Sequence, residues 1–140
     1  MIDIDNKTSL EVNNTLLENI ANDVTDKDIE LIITTNDEIR QINKEYRNID
    51  KPTDVLSFPY EDMPMTPLGS IVISQDFVLQ KAQELGHTQA DELTLLFIHG
   101  LLHLLGYDHE IDEGQMRQEE ERLINELNLP KSLIVRTQGK

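Results

Sequence analysis

The spacing of hydrophobic residues switches along the chain between a period of two and one of about 3.6, and each switch marks an element boundary. Ile2 and Ile4 alternate with Asp3 and Asp5, which predicts a half-buried strand over Met1 to Asn6. Ser9 stands as the cap of a first helix, in which Leu17, Ile20, Ala21 and Val24 recur at i, i+3, i+4 and i+7. The β-branched run in Glu30-Leu31-Ile32-Ile33-Thr34 has strand length and reads as a central strand. A second helix opens near Asn36, with Asp37 and Glu38 facing the positive end of its dipole and an apolar stripe of Ile39, Ile42 and Tyr46. Arg40 and Lys44 fall off that stripe, and Arg47 closes the helix.

After the loop Asn48 to Thr53, Asp54 to Phe58 reads as a third strand ended by Pro59, and Tyr60 to Pro67 as a proline-containing loop. Leu68 to Ser74 is a fourth strand, apolar enough to be buried on both faces. A third helix spans Gln75 to Leu85 and stops at Gly86, with His87 expected on the surface beyond it. Thr88 and Asp91 resemble a capping box at the head of a fourth helix, whose apolar residues from Leu93 to Leu105 surround its axis and predict near-complete burial. A fifth, acidic helix runs from Asp112 to Leu127. It packs through Met116, Leu123, Ile124 and Leu127 and leaves Glu119, Glu120 and Glu121 mostly in water. Pro130 ends it, and residues 131–140 are expected to form a loose tail. The order β-α-β-α-β-β-α-α-α predicts an α+β or α/β domain with a mixed sheet of about four strands and about five helices. The pairing order of the strands does not follow from the pattern.

Composition narrows the picture. A chain of 140 residues suits one domain, 1–140, and its 38% hydrophobic and 28% charged residues describe a globular protein. The absence of cysteine removes disulfides and thiolate ligands, so a metal would have to be held by histidine, carboxylate or water. The acidic start Met1-Ile2-Asp3-Ile4-Asp5 lacks the basic and apolar regions of a signal peptide, which predicts a cytoplasmic protein. The run Leu93 to Leu105 is interrupted by two histidines and is too short for a membrane span. A net charge of −15 repels nucleic acid at long range, so a polyanionic substrate would need a local cationic patch or a metal.

The candidate chemistry lies in Phe97 to His109. Three of the four histidines fall here in the spacing His-x3-His-x2-Gly-x2-His. His99 and His103, four apart on a helix, stack on one face. Gly106 can end that helix in the left-handed conformation and turn the chain so that His109 meets the other two. Three neutral imidazoles around one Zn2+ leave a fourth position for water or substrate, as a catalytic zinc requires. The spacing matches that of metzincin proteases. Those enzymes carry glutamate as general base directly after the first histidine, where this chain has Gly100, which counts against peptide hydrolysis.

These histidines, with Tyr46-Arg47 and Thr53-Asp54-Val55-Leu56-Ser57-Phe58-Pro59, closely resemble the YbeY family of bacterial endoribonucleases over most of the domain. The resemblance implies a zinc-dependent endoribonuclease that prefers single strands and acts in ribosomal RNA maturation and ribosome quality control. It carries metal ligation onto His99, His103 and His109, and a catalytic or phosphate-binding role onto Arg47. Family members commonly have aspartate where this chain has Ser70, so an acidic role at that position is absent or has moved.

The expected chemistry is then cleavage of an RNA phosphodiester, with a zinc-bound water whose pKa is brought toward about 7 and with charge stabilisation by Arg47; whether water or a ribose 2′-hydroxyl attacks does not follow from the sequence. Lys44 and Lys51 flank Arg47 and are candidates either for a cationic lip or for ordinary surface charge, Ser57 is expected on the substrate side, and Asp54 is expected either there or ordering the strand start. Asp108 is expected either to hold His103 or His109 by the second ring nitrogen or to cap the turn after Gly106. RNA and the ribosome or its proteins are the expected partners. Two other readings stand beside this one: a metallopeptidase, and a non-catalytic ribosome-associated module in which zinc ties the last two helices together.

Overall fold

The computed structural model describes residues 1–61, 63–108 and 111–129. The third histidine of the motif, His109, and the expected tail 131–140 lie outside the described residues. The elements are β1 (Ile2–Asn6), α1 (Asn14–Val24), β2 (Ile29–Thr34), α2 (Asn36–Arg47), β3 (Val55–Pro59), β4 (Gly69–Ser74), α3 (Gln75–Leu85), α4 (Gln89–Leu104) and α5 (Gln115–Glu126). The four strands form one mixed sheet in the order β1-β2-β4-β3. β1, β2 and β4 run parallel, and β3 returns antiparallel to β4 as an edge strand. This is the single α+β domain read from the chain.

Alternation along the strands assigns the two faces. Leu31, Ile33, Ile71 and Ile73 pack with Leu17 and Ile20 of α1 and with Leu96, Phe97, Ile98 and Leu101 of α4 in the main core. The opposite face carries Leu56 and Val72 under Ile39 of α2. β4, with helices over both faces, is buried at every position, as a strand apolar throughout should be. α4 is enclosed on all sides: every residue from Glu92 to Leu102 is buried. The oxygen of Thr88 caps its start by accepting from Asp91 N at 3.0 Å.

Four expectations are corrected. The first helix begins at Asn14, capped by Asn13 rather than Ser9, because Asn6 and Thr8 bond one another and Leu10 N donates to Thr8 Oγ1 in an extended approach. α5 begins at Gln115, because the Asp112 carboxylate is used in a preceding turn that accepts from Gly114 N and Met116 N. His87 is not a surface residue. The left-handed turn at Gly86 folds it under the first turn of α4, where its 5% exposed side chain bonds the buried Glu92 at 3.0 Å. Tyr46, expected in the buried stripe of α2, is 67% exposed, and the helix instead buries Ile39 and Asn43. Asn43 earns its place by donating from Nδ2 to the Lys51 carbonyl at 2.9 Å, which ties down the loop toward β3.

Candidate active site

α4 brings His99 and His103 edge to face, with ring centroids 4.8 Å apart and an interplanar angle of 77°. Their Nε2 atoms are 3.2 Å apart. What lies behind each ring decides what those nitrogens can do. His99 Nδ1 is 2.7 Å from Glu120 Oε1, and His103 Nδ1 is 3.0 Å from the Tyr107 carbonyl oxygen. A peptide carbonyl only accepts, so His103 carries a proton on Nδ1, and a carboxylate partner suits the same tautomer of His99. With Nδ1 so engaged, Nε2 is the ligating nitrogen each ring offers, and the two Nε2 atoms are turned toward one another. Two imidazoles bound tetrahedrally at about 2.0–2.1 Å to one zinc would have their nitrogens about 3.3 Å apart. The donor set thus fits a shared cation. Among the described residues no set of three such donors gathers, and this pair is what they contribute.

The backing groups arise locally. Gly106, at φ 102°, lets the chain reverse after α4, so that Tyr107 N donates to the Leu102 carbonyl at 3.0 Å and the Tyr107 carbonyl comes under His103. The Tyr107 backbone thus supports His103, while the expected alternative in which Asp108 holds His109 lies outside the described residues. Asp108 borders the cleft, and its carbonyl accepts from Ile111 and Asp112 in the following turn.

Glu120 is the larger correction. Expected in water, it is 3% exposed and bonds His99 Nδ1. A signal for it was present, since Met116, Glu120, Leu123, Ile124 and Leu127 follow one helical stripe, and a lone carboxylate on a buried stripe needs a partner. Glu120→Leu is expected to weaken metal affinity about 10- to 100-fold, whereas Glu120→Gln, which still offers an acceptor, should lose less. Competition with a chromophoric chelator checks both.

Gly100 also has a structural reason. A Cβ there would meet Ile71 Cγ2 at 2.9 Å, Ser57 Oγ at 3.1 Å and Val55 Cγ2 at 3.2 Å, so no side chain fits between α4 and β3. Ser57 Oγ donates to the Gly100 carbonyl at 3.0 Å. This close approach lays the edge strand along the histidine pair and leaves no room for a zincin-type glutamate.

The cleft so formed has a volume of about 560 Å³, and its walls include Arg47, Asp54, Ser57, His99, His103 and Asp108. Arg47, at the C-terminal end of α2, thus shares one cavity with the histidines. Asp54 borders the cleft and also orders the start of β3, accepting from Val55 N at 2.8 Å. The hydroxyl of Ser57 is committed to Gly100, but its peptide N–H is not committed to β4. Asp54 and Tyr60 make the flanking bonds to Ser74 and Leu68, so Val55, Ser57 and Pro59 hold the positions whose backbone groups point to the open edge.

Lys44 and Lys51 are exposed and do not border the cleft. The Arg40 guanidinium, 2.7 Å from Asp50 Oδ1, holds that carboxyl below its usual range, and Lys44 adds to the pull. At Ser70, where the family commonly has aspartate, the hydroxyl donates to Glu30 Oε2 at 2.9 Å and also meets the Tyr60 hydroxyl. Ser70 tends to lower the Tyr60 pKa, but burial and the Glu30 carboxylate outweigh it and push the phenol up. The carboxylate of this cluster comes from β2, the strand beside β4.

A family model described as Endoribonuclease YbeY matches residues 2–128. A protein of Sulfurimonas denitrificans named Endoribonuclease YbeY is 63% identical over 139 residues, covering 99% of this chain and 100% of its own length. One of Aliarcobacter butzleri with the same name is 64% identical over 138 residues, covering 97% and 99% of the two chains. The solution structure of a Thermotoga maritima protein superposes with a TM-score of 0.62 at 31% identity, covering 91% of this chain and 89% of that one.

Proposed function

Since the chain belongs to the YbeY family and is an endoribonuclease, we propose that it cleaves single-stranded RNA with one Zn2+ held by His99, His103 and His109, Arg47 gripping the scissile phosphate. The observation that carries this reading is the pair of Nδ1-backed imidazoles converging at 3.2 Å in a cleft that Arg47 also lines. A bound divalent ion supplies Lewis acidity, polarising a phosphoryl oxygen and lowering the pKa of a water molecule.

The protein's own groups do the rest. Glu120 and the Tyr107 carbonyl keep the two histidine tautomers and ring orientations in place before metal or substrate arrives. The Arg47 guanidinium offers paired N–H donors to the non-bridging oxygens, where negative charge grows as the phosphodiester reacts. The outward Ser57 N–H adds a neutral donor on the edge strand. With Lys44 and Lys51 off the cleft, the grip on phosphate rests on Arg47 and the metal, which offset the −15 net charge locally. The family supports ribosomal RNA maturation as the setting, with ribosome quality control and contact with the ribosome in the cytoplasm as the further reading. Among the described residues no helix is long and apolar enough to cross a membrane.

The test is a comparison of substrates with zinc-loaded, nuclease-free protein. Unstructured RNA should be cut, the same sequence in duplex form should be spared, and unfolded protein should remain intact. Proteolysis with RNA left whole would instead support the metallopeptidase reading.

A further inference from the structure

We propose that Tyr46, backed by Phe58, forms a shelf on which one unpaired nucleobase of the RNA stacks beside the cleft, an inference that rests on the ribonuclease reading and extends it. Tyr46 is 67% exposed. It is not idle surface. Its centroid is 5.4 Å from that of Phe58, with the rings tilted at 60°. Phe58 in turn packs on the Ile39–Leu56–Val72 cluster, so the shelf has a rigid support. The chain has three tyrosines, three phenylalanines and no tryptophan, so spending two rings on this seam is a concentrated use of a scarce side chain.

Position supplies the occupant. Tyr46 immediately precedes Arg47, which lines the cleft, and Phe58 lies between Ser57 and Pro59 on β3, which also line it. Side chains alternate along a strand, so Ser57 faces α4 and Phe58 faces α2, and the shelf lies on the α2 side of the edge strand, next in sequence to the cleft-lining Arg47. A strand whose phosphate is held by Arg47 brings a neighbouring base to the ring next door. Every base has a π face, so such a shelf accepts RNA with little regard to sequence and contributes through stacking. A duplex keeps its bases paired and stacked inside, away from the shelf. Preference for single strands is then a property of this seam. The neighbouring cation, Arg47, suits an anionic strand better than an apolar protein segment.

The test uses the intact, zinc-loaded chain and an unstructured oligoribonucleotide. Tyr46→Phe should keep the wild-type KM, and Tyr46→Ala should raise it about tenfold with the loss in KM rather than kcat. An abasic nucleotide walked past the scissile bond should find one position that costs the wild type a similar factor and costs Tyr46→Ala nothing more. Binding is followed separately through 2-aminopurine at that position, whose fluorescence should be quenched by the wild type and not by Tyr46→Ala. A KM for Tyr46→Ala within twofold of wild type, or equal quenching by both proteins, overturns the shelf. Quenching that depends on Tyr46 without any cleavage would leave the shelf standing and remove the nuclease reading.

Discussion

Replacing His103 by alanine is expected to bring RNA cleavage down to background and to release the metal, while the circular dichroism of the helices is kept. His103 stands at the last turn of α4 and is only half-buried, whereas the residues that hold this helix in the core, Phe97, Ile98, Leu101 and Leu102, are untouched by the change. The substitution removes one Nε2 donor and the bond from Nδ1 to the Tyr107 carbonyl. The latter costs roughly 0.5–1.5 kcal/mol, a fraction of a typical domain stability. If zinc served only to tie α4 to α5, the same variant would unfold along with losing its metal. Metal content, circular dichroism and cleavage measured on one preparation separate the two.

Arg47→Glu is expected to give the complementary result, with cleavage lost by about a thousandfold or more and the metal retained. A single donor to a developing anion contributes about 10²–10³ to rate, and reversal of charge adds repulsion of the phosphate. Arg47 is exposed at the end of α2, so folding should feel little beyond about 0.3–1 kcal/mol from the helix dipole. Full activity in this variant would remove Arg47 from the mechanism.

The elements were legible because their signals are local. The Thr88 cap, Gly86 and Gly106 at positive φ, and the unbroken apolar surround of α4 each follow from neighbours in sequence. The order β1-β2-β4-β3 was not, since it depends on which strand receives the crossover from α2 and on β3 folding back to the edge. At the site, the first two histidines and Arg47 could be named from spacing and resemblance, and they do border one cleft. Gly100 was read as a missing base. In the structure it is a steric requirement, and only the packing of β3 on α4 reveals that. Glu120 was hidden in a run of glutamates, because its neighbours Glu119 and Glu121 make the segment look uniformly solvated while the helix turns one of the three inward. Tyr46 shows the reverse failure: an aromatic at helical spacing reads as core, yet the burial of α2 runs through Ile39 and Asn43.

The central claim is that His99 and His103 are poised to share one catalytic cation. Its most direct measurement is a titration of metal-stripped protein with zinc while the cleavage of an unstructured oligoribonucleotide is followed. Activity should rise in proportion to added zinc, break at about one equivalent and vanish again with chelator. Cleavage by the stripped protein that neither zinc nor chelator alters would contradict the account.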